Sequence, residues 1–579
     1  MTCGCPSLRA HPGLLVLAVG LPVLEALILG AIGTPAAQAL APQATAPAPF
    51  GVFHDLRWLL VFHPSWVAFA FELVALVAFR SGLTALLVRA AWPRGMEPPE
   101  GMRLMGGSVV FTLVSALVLA PFAALLLGAA VVSLSWLFFV AVPSLLGVAA
   151  LLHHGAVLPT WWRERPPGRT VGWVLFTFLV LTVTSAVVVL APAPLRPLAA
   201  GAAGLFNAWA WFGIVHALVC GERSRRFVLV APVGLAALVG LVAVGASVGF
   251  SVATRDRGLQ RVAHGTSVDY GRPVLLASGF GSDYEGDGND GSGAGPAGRT
   301  SAAADDDAAG GTAGAGRIVA TSGQQRRFSY AGAGTDGRPR PYRDVDTFQD
   351  LSRSVQLMAR QVEAFRADVD EPITIVAESE GALVAKAYLM SHADAPVDAL
   401  VVLSPLVEPG GVYFPPSGEE GWGVAGGMGL RWIADFVRAV SPFEVSADDG
   451  LFRSLIDHAP ALRGLLACPV AGVDQLVLLP LADAVVGPDR LDGVHHTVVP
   501  AFHGGLADNG SVQRTIRAAL DRGAPPTTSW WDASDTLIRA GATAWRAPTL
   551  PVSVNPAWEA ADESTSCADI ASLVTAWVS

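Results

Sequence analysis

Apolar residues follow two unlike patterns along the chain. Up to about residue 252 they form long runs broken only by short polar segments; from 253 onward, short runs of strand length alternate with stretches of helical period. A membrane-crossing helix needs about 20 apolar residues. Seven such runs are present, at 14–33, 58–79, 107–127, 131–151, 171–191, 198–220 and 227–251. The third and fourth come from one stretch, 109–152, long enough for a tight helical hairpin. Residues 31–41 also resemble a signal-peptidase site, but Glu25, Pro22 and the length of the run favour an uncleaved anchor.

In the second half, Pro273–Ser278 reads as a buried strand turning sharply at Gly279-Phe280-Gly281. Residues 283–316 are mostly Gly, Ala, Ser and Asp, too poor in apolar surface to fold, and a disordered insertion is expected there. Its acids lack the spacing of a calcium loop. Arg327–Tyr330 reads as the next strand. Residues 346–369 read as an amphipathic helix on Phe348, Leu351, Val355, Met358, Val362 and Phe365. Strand 372–377, helix 381–391 and strand 398–403 follow. Pro/Gly-rich residues 405–472 interrupt the rhythm where a lid over the strand ends would sit. Strands 475–480 and 495–502 and a helix at 509–522 complete the alternation. This order implies a mostly parallel sheet with helices on both faces. The expected organisation is an all-α transmembrane bundle (1–252), a linker (253–272), an α/β domain (273–525) and a tail (526–579) with short helices at 532–546 and 567–578.

Charge separates the same halves. Residues 1–252 carry 13 Arg and 7 acids, and residues 253–579 carry 25 basic and 41 acidic residues, so balances of +6 and −16 make up the net −10. An acidic second half argues against a nucleic-acid partner, which would want clustered cations. Arginine sets the expected orientation. Alternate segments hold 11 Arg (Arg9; Arg80, Arg89, Arg94, Arg103; Arg163, Arg165, Arg169; Arg223, Arg225, Arg226), whereas the opposite loops hold two, Arg57 and Arg196. The N-terminus is therefore expected in the cytoplasm and the second half outside the plasma membrane, although Arg255, Arg257 and Arg261 weigh mildly against it. Glu72, His63 and His216 are the ionisable residues that stand out in the spans, and they read as polar contacts between helices, with the membrane half as anchor or platform. Cys468 and Cys567 would bridge in an oxidising compartment; two buried thiols are equally ordinary.

The most informative stretch is Ile373-Thr-Ile-Val-Ala-Glu-Ser379-Glu-Gly381, where strand character runs into a serine and an amphipathic helix starts at once behind it. A serine on so tight a turn is pushed off the sheet towards a base, as in the nucleophile elbow G-x-S-x-G, from which only Ala377 departs. An ordinary helix N-cap is the bland alternative. Ligands meet such sheets at the carboxyl ends of strands. Asp483 and His503 follow their strands, whereas Asp474, His495 and His496 precede theirs; Asp489 is a substitute acid farther along the loop.

Taken together, the Ser278-Gly279-Phe280 turn, the elbow at Ser379, and Asp483 then His503 make residues 270–525 resemble the α/β-hydrolase superfamily, close to its lipases and esterases. The resemblance implies a Ser379–His503–Asp483 triad, with His503 taking the serine proton and Asp483 orienting the imidazole. It implies an oxyanion hole from the backbone N–H groups of Phe280 and Glu380. Family members usually have His-Gly where this chain has Ser278-Gly279, which puts the support of that loop in question. Glu378 and Glu380, flanking the serine, would disfavour an oxyanion unless turned away or paired. The expected activity is a membrane-anchored, extracytoplasmic ester hydrolase or acyltransferase acting on a lipid or acylated envelope component, with no cofactor and no metal. A peptidase is not excluded. The competing expectation is a permease or sensor in which the second half is an inactive binding module.

Overall fold

The computed structural model describes residues 8–133, 135–157, 168–220, 272–284, 325–440, 444–481, 494, 496–499, 503–504, 506, 509–522, 530–558 and 566–579. The first half contributes α1 (Pro12–Ala31), α2 (Phe50–Val61), α3 (Trp66–Ala91), α4 (Gly101–Val132), α5 (Ser135–Leu152), α6 (Gly168–Leu190) and α7 (Arg196–Cys220). Among the described residues, five helices are long and apolar enough to cross a membrane: α1, α3, α4, Gly172–Leu190 within α6, and Ala193–Cys220 around α7. The expected span 131–151 is α5, separated from α4 at Ser133, whose φ of 54° ends the helix. The expected span 227–251 lies outside the described residues.

The run at 58–79 is not one helix. It breaks at His63-Pro64-Ser65, because proline has no N–H to continue α2 and disfavours helix in the residue before it. Ser65 then caps α3, its Oγ accepting from Ala68 N at 3.2 Å. Before α2, residues Pro35–Gln43 form a 3-10 segment, of which residues 38–43 are buried inside the bundle. Gln38 Nε2 donates to Ala26 O (2.6 Å) and Thr45 Oγ1 to Ala18 O (2.9 Å), so the chain runs back down beside α1 before α2 returns. Asn207 and Trp211 on α7 donate to Pro42 O and Thr45 O. Irregular backbone at membrane depth persists only where protein satisfies its polar groups, as these side chains do. The segment resembling a cleavage site is thus part of the packed bundle.

This hairpin corrects the arginine count. Arg80 lies within α3 and Arg57 within α2, both buried, so neither is a loop charge. The asymmetry among the other arginines is untouched. His11 Nδ1 lies 2.8 Å from Ala90 O, and Arg94 donates to Ala10 O, so the starts of α1 and α4 and the end of α3 share one end of the bundle.

The second half has a six-stranded, wholly parallel sheet: β1 (Val274–Ala277), β2 (Gln325–Arg327), β3 (Ile373–Glu378), β4 (Val397–Leu403), β5 (Asp474–Pro480) and β6 (His496–Val499), in the order β2-β1-β3-β4-β5-β6. Both faces are covered, as a parallel sheet requires. Alternate residues Val376, Val401, Leu476 and Leu478 meet Val512 and Ile516 from the helix Gly510–Arg522. Ile375, Ala377, Val402 and Val477 join the larger core with α8 (Leu351–Arg366) and α9 (Glu380–Ser391). The strand expected at Arg327–Tyr330 lies earlier, because Gln361 takes both backbone groups of Ser329 that a strand would pair (2.8 and 2.9 Å). The helix expected at 346–369 starts at Leu351, where Asp350 accepts from Ser352 N at 2.8 Å, and a short 3-10 turn, Asp344–Phe348, precedes it. Apart from its first two residues and linker residue 272, the expected disordered insertion and linker lie outside the described residues.

The insertion 405–472 carries α10 (Val424–Val440), α11 (Gly450–Asp457) and α12 (Ala459–Leu465). It docks on the membrane half. Gly410 and Gly411 N–H donate to Val131 O (2.8 Å) and Ala130 O (2.9 Å) at the end of α4. Gly423 N donates to His63 O (2.9 Å) and Ala425 N to His63 Nε2 (3.0 Å). At 32 residues α4 is about 48 Å long against a hydrocarbon core of about 30 Å, so it has length to spare for reaching the second half. The tail docks too. Trp545 stacks on Phe178 (centroids 4.7 Å apart) and donates to Thr182 Oγ1 at 2.9 Å, while Arg57 donates to Ala544 O (3.0 Å) and Arg546 O (2.6 Å). The helix Cys567–Val578 is tied back by a Cys468–Cys567 disulfide, the pairing that the sequence left open.

Replacing Arg57 takes its donor from Arg546 O and from the buried Gln43 Oε1, at about 1–3 kcal/mol each, while Ala544 O keeps Gln43 Nε2. Arg57→Met is therefore expected to lower the melting temperature of the detergent-solubilised chain and to split its unfolding into two transitions, followed by tryptophan fluorescence. A single transition at the wild-type temperature would contradict this account of the junction.

Candidate active site

At the sheet's carboxyl edge, β1 and β3 are neighbours in space but leave the sheet in opposite winding directions, since β2 lies outside β1 and β4 beyond β3. That is a topological switch point, where open parallel sheets form their ligand crevice. The Ser278-Gly279-Phe280 turn leaves β1 there, and Ser379 leaves β3.

Ser379 has φ 55° and ψ −120°, a conformation that side chains bearing Cβ rarely adopt. The surroundings impose it. Ser379 N donates to Leu403 O (3.0 Å) as the last ladder bond, and Ser379 O already accepts from Ala382 N (3.1 Å) in the first turn of α9. A helix beginning one residue after a strand leaves Ser379 to absorb the change of direction, at a cost of about 1–3 kcal/mol. Ala377 is fully buried opposite Ala277 in the β1–β3 register, so a methyl fits where the usual motif has glycine. The second glycine has no such freedom: a Cβ on Gly381 would come within 2.6 Å of Ser278 O and 2.7 Å of Ala277 O.

Ser379 Oγ lies 2.9 Å from Nε2 of the half-buried His503. In the tautomer with an unprotonated Nε2, the serine donates to the ring. Gly279 crosses beside them, and a Cβ there would fall 2.5 Å from Ser379 Cβ and 3.1 Å from Oγ. The turn is held from three sides. Tyr330 Oη donates to Ser278 O (2.8 Å), Gly281 N donates to Thr347 Oγ1 (2.9 Å), and Ser282 Oγ lies 3.0 Å from Tyr342 Oη. Phe280 stacks on Phe348 at 4.7 Å and meets Phe452 of the insertion edge-on at 5.7 Å. These residues supply the support that the missing His-Gly left in question, and no short motif marks them because they come from separate segments.

Of the residues singled out in the sequence, Ser379, His503, Glu380 and Phe280 meet at this edge. Asp474 and His496 open β5 and β6 at the opposite edge, both exposed. Asp483, Asp489 and His495 lie outside the described residues.

Both flanking glutamates are buried, Glu378 as the last residue of β3 and Glu380 as the first of α9. Glu380 is fully enclosed, and neither carboxyl oxygen has a hydrogen-bond partner. Burial pushes its carboxyl well above the usual carboxylate range, which favours the neutral acid beside the serine over a charge there. Lys386, the chain's one lysine, lies buried on the same helix, donating to Cys468 O and to Gln475 Oε1 (2.5 Å). Burial pushes it down to about 7, and a neutral amine has two N–H donors for its two acceptors.

No family model, curated protein or solved structure matches this chain.

Two outcomes follow from the packing. Gly279→Ala is expected to displace Ser379 and to lower reactivity of its hydroxyl by about 100-fold or more, measured as the rate of acylation by an activated ester. For Glu380 the fold holds a proton that the unfolded chain releases above about 4.5, so this group's stabilisation is full below that pH and lost as pH rises towards the raised folded value. Glu380→Gln is therefore expected to raise the melting temperature more at pH 8 than at pH 5. An equal shift at both values would rule out the buried proton.

Proposed function

We propose that the chain is a membrane-integrated serine hydrolase of α/β-hydrolase type that cleaves a carboxylic ester of a lipid or acylated envelope component. The observation that carries this reading is the strained, buried Ser379, on a strand-to-helix turn at the switch point, within 2.9 Å of His503 Nε2. An ordinary N-cap serine would accept from the helix N–H groups, and Ser379 makes no such bond.

In the proposed reaction His503 Nε2 takes the serine proton as Oγ attacks the ester carbonyl. The backbone N–H groups of Glu380 and Phe280 meet the developing oxyanion, each worth about 3–4 kcal/mol. Collapse of the intermediate breaks the carbonyl–alkoxy bond, and the alcohol leaves with the proton held on His503. Water then attacks the acyl-enzyme by the same route; an acceptor alcohol in its place gives acyl transfer. Asp483 is assigned the role of orienting His503. The neutral Glu380 keeps negative charge away from the oxyanion.

The hydrolase half is assigned to the extracytoplasmic side. Arg9, Arg89, Arg94 and Arg103 gather at the bundle end opposite the one where α4 and His63 meet the insertion, which supports a cytoplasmic location for the former. The Cys468–Cys567 bridge suits an oxidising compartment. Beside that junction α10 exposes Trp432, Phe436 and Val440 at four-residue spacing, a face suited to the bilayer interface and to a substrate drawn from lipid.

A fluorophosphonate probe applied to membranes carrying the chain is expected to label it, and Ser379→Ala and His503→Gln are each expected to abolish labelling. Folded wild type that stays unlabelled, with detergent present to open access, would overturn the reading.

A further inference from the structure

The helix α10 leaves the junction between the halves with an apolar stripe that only its first turns cover. Gly426 and Gly429 bring it against the bundle. A Cβ on Gly426 would fall 2.5 Å from Leu60 O and 2.9 Å from Leu127 Cδ1, and one on Gly429 would fall 3.3 Å from Ala124 Cβ. The apolar side of the helix then continues through Trp432, Ile433, Phe436, Val437 and Val440. There the cover ends: Trp432, Phe436 and Val440 stand 65%, 41% and 55% exposed among the described residues. Arg431, Asp435 and Arg438 run along the opposite side and are already paired. Arg431 donates to Asp448 through Nε (2.6 Å) and Nη2 (2.7 Å), and Arg438 Nη2 donates to Asp435 Oδ1 at 2.7 Å.

The uncovered stripe adjoins the outward side of a membrane helix. Val110, Leu117 and Ala124 follow one another at seven-residue spacing on α4, with Leu113 beside them, so all four lie on one side of it. Val110, Leu113 and Leu117 are exposed, and α10 is seated at the far end of that row, on Ala124. The two apolar surfaces therefore join. Length along α4 gives the level at which they meet. Twenty-one residues separate the exposed Arg103 from Ala124, about 31 Å of helix against a hydrocarbon core of about 30 Å. With Arg103 at one water boundary, Ala124 falls at the other, and α10 with it. Tryptophan is the residue enriched at that level, where its ring is buried and its N–H reaches polar groups.

We propose that α10 is a surface-lying membrane helix, with Trp432, Phe436 and Val440 seated among phospholipids at the boundary between headgroups and acyl chains. The contact is apolar and does not select lipid charge, because Arg431 and Arg438 are taken up by Asp448 and Asp435. It gives the insertion a hold on the bilayer separate from the spanning helices. The same insertion presents Phe452 of α11 to Phe280, so this hold lies on the segment that borders the Ser379 turn. The inference rests on the membrane-integrated part of the proposed function and deepens it by naming the occupant of the α10 face. It does not need Ser379 to be reactive.

The test uses the full chain reconstituted in phosphatidylcholine vesicles, with a photocrosslinking residue introduced as Phe436→benzoylphenylalanine, Val440→benzoylphenylalanine or Asp435→benzoylphenylalanine. Mass spectrometry after irradiation reads adducts of one phospholipid. The two apolar positions are each expected to give about fivefold or more adduct over position 435, on the polar side of the helix. Having two such positions keeps the test decisive if one variant fails to fold. Yields are expected to stay within about twofold when an anionic phospholipid replaces part of the phosphatidylcholine. Equal adducts at all three positions, crosslinks at 436 and 440 to a second copy of the chain, or no adduct in variants that melt as wild type does would overturn the proposal. Fluorophosphonate labelling is read on the same samples. Lipid adducts on a chain whose Ser379 stays unlabelled would sink the hydrolase reading and uphold the membrane contact, and labelled Ser379 without lipid adducts would do the reverse.

Discussion

The candidate site depends on one backbone constraint, the positive φ of Ser379 where β3 becomes α9 without an intervening loop. That conformation lifts the hydroxyl off the sheet towards His503. It can be held only because Gly279 and Gly381 let β1, β3 and α9 approach more closely than any Cβ would permit. The rest of the edge stabilises what this costs. Buried tyrosine hydroxyls and Thr347 fix the facing turn, and burial of Glu380 at the start of the helix favours its uncharged form.

A second dependency joins the halves. The membrane bundle and the α/β domain share one continuous core, and the polar contacts between them use backbone groups that side chains alone could not supply. The carbonyls at the end of α4 serve the insertion, and Arg57 reaches out of the bundle to the tail. The first half is therefore more than a tether. It fixes where the sheet's carboxyl edge sits relative to the apolar helices of the bundle. The re-entrant hairpin that carries Arg57 also delivers His54 and Asp55 to Glu25 and Arg80.

Much of this was legible in the residues. The sheet strands follow from short apolar runs bounded by glycine, proline and charge, and five of the six lie within a residue or so of where the pattern puts their starts. β2 slipped because Gln361, far along the chain, competes for the backbone of Ser329. The elbow could be read because its chemistry is local: one strand, one turn and one helix supply it. The membrane spans were legible where hydropathy alone decides, and misread at 58–79, where Pro64 and Ser65 outweigh a continuous apolar average.

What the sequence determined by itself was therefore everything set by neighbours along the chain: the division into an apolar and an acidic half, the parallel alternation, the serine at the strand's end and the wrong-edge position of Asp474 and His496. Tertiary structure decided what depends on partners hundreds of residues apart. It brought His503 to Ser379, joined Cys468 to Cys567, closed Glu380 away from water, and gathered Glu25, His54, Asp55 and Arg80 from scattered charges into one paired cluster. The physical reason is the range of the forces involved. Hydropathy and turn chemistry act over a few residues, whereas burial, protonation and charge pairing are properties of a place in space that no short window of sequence contains.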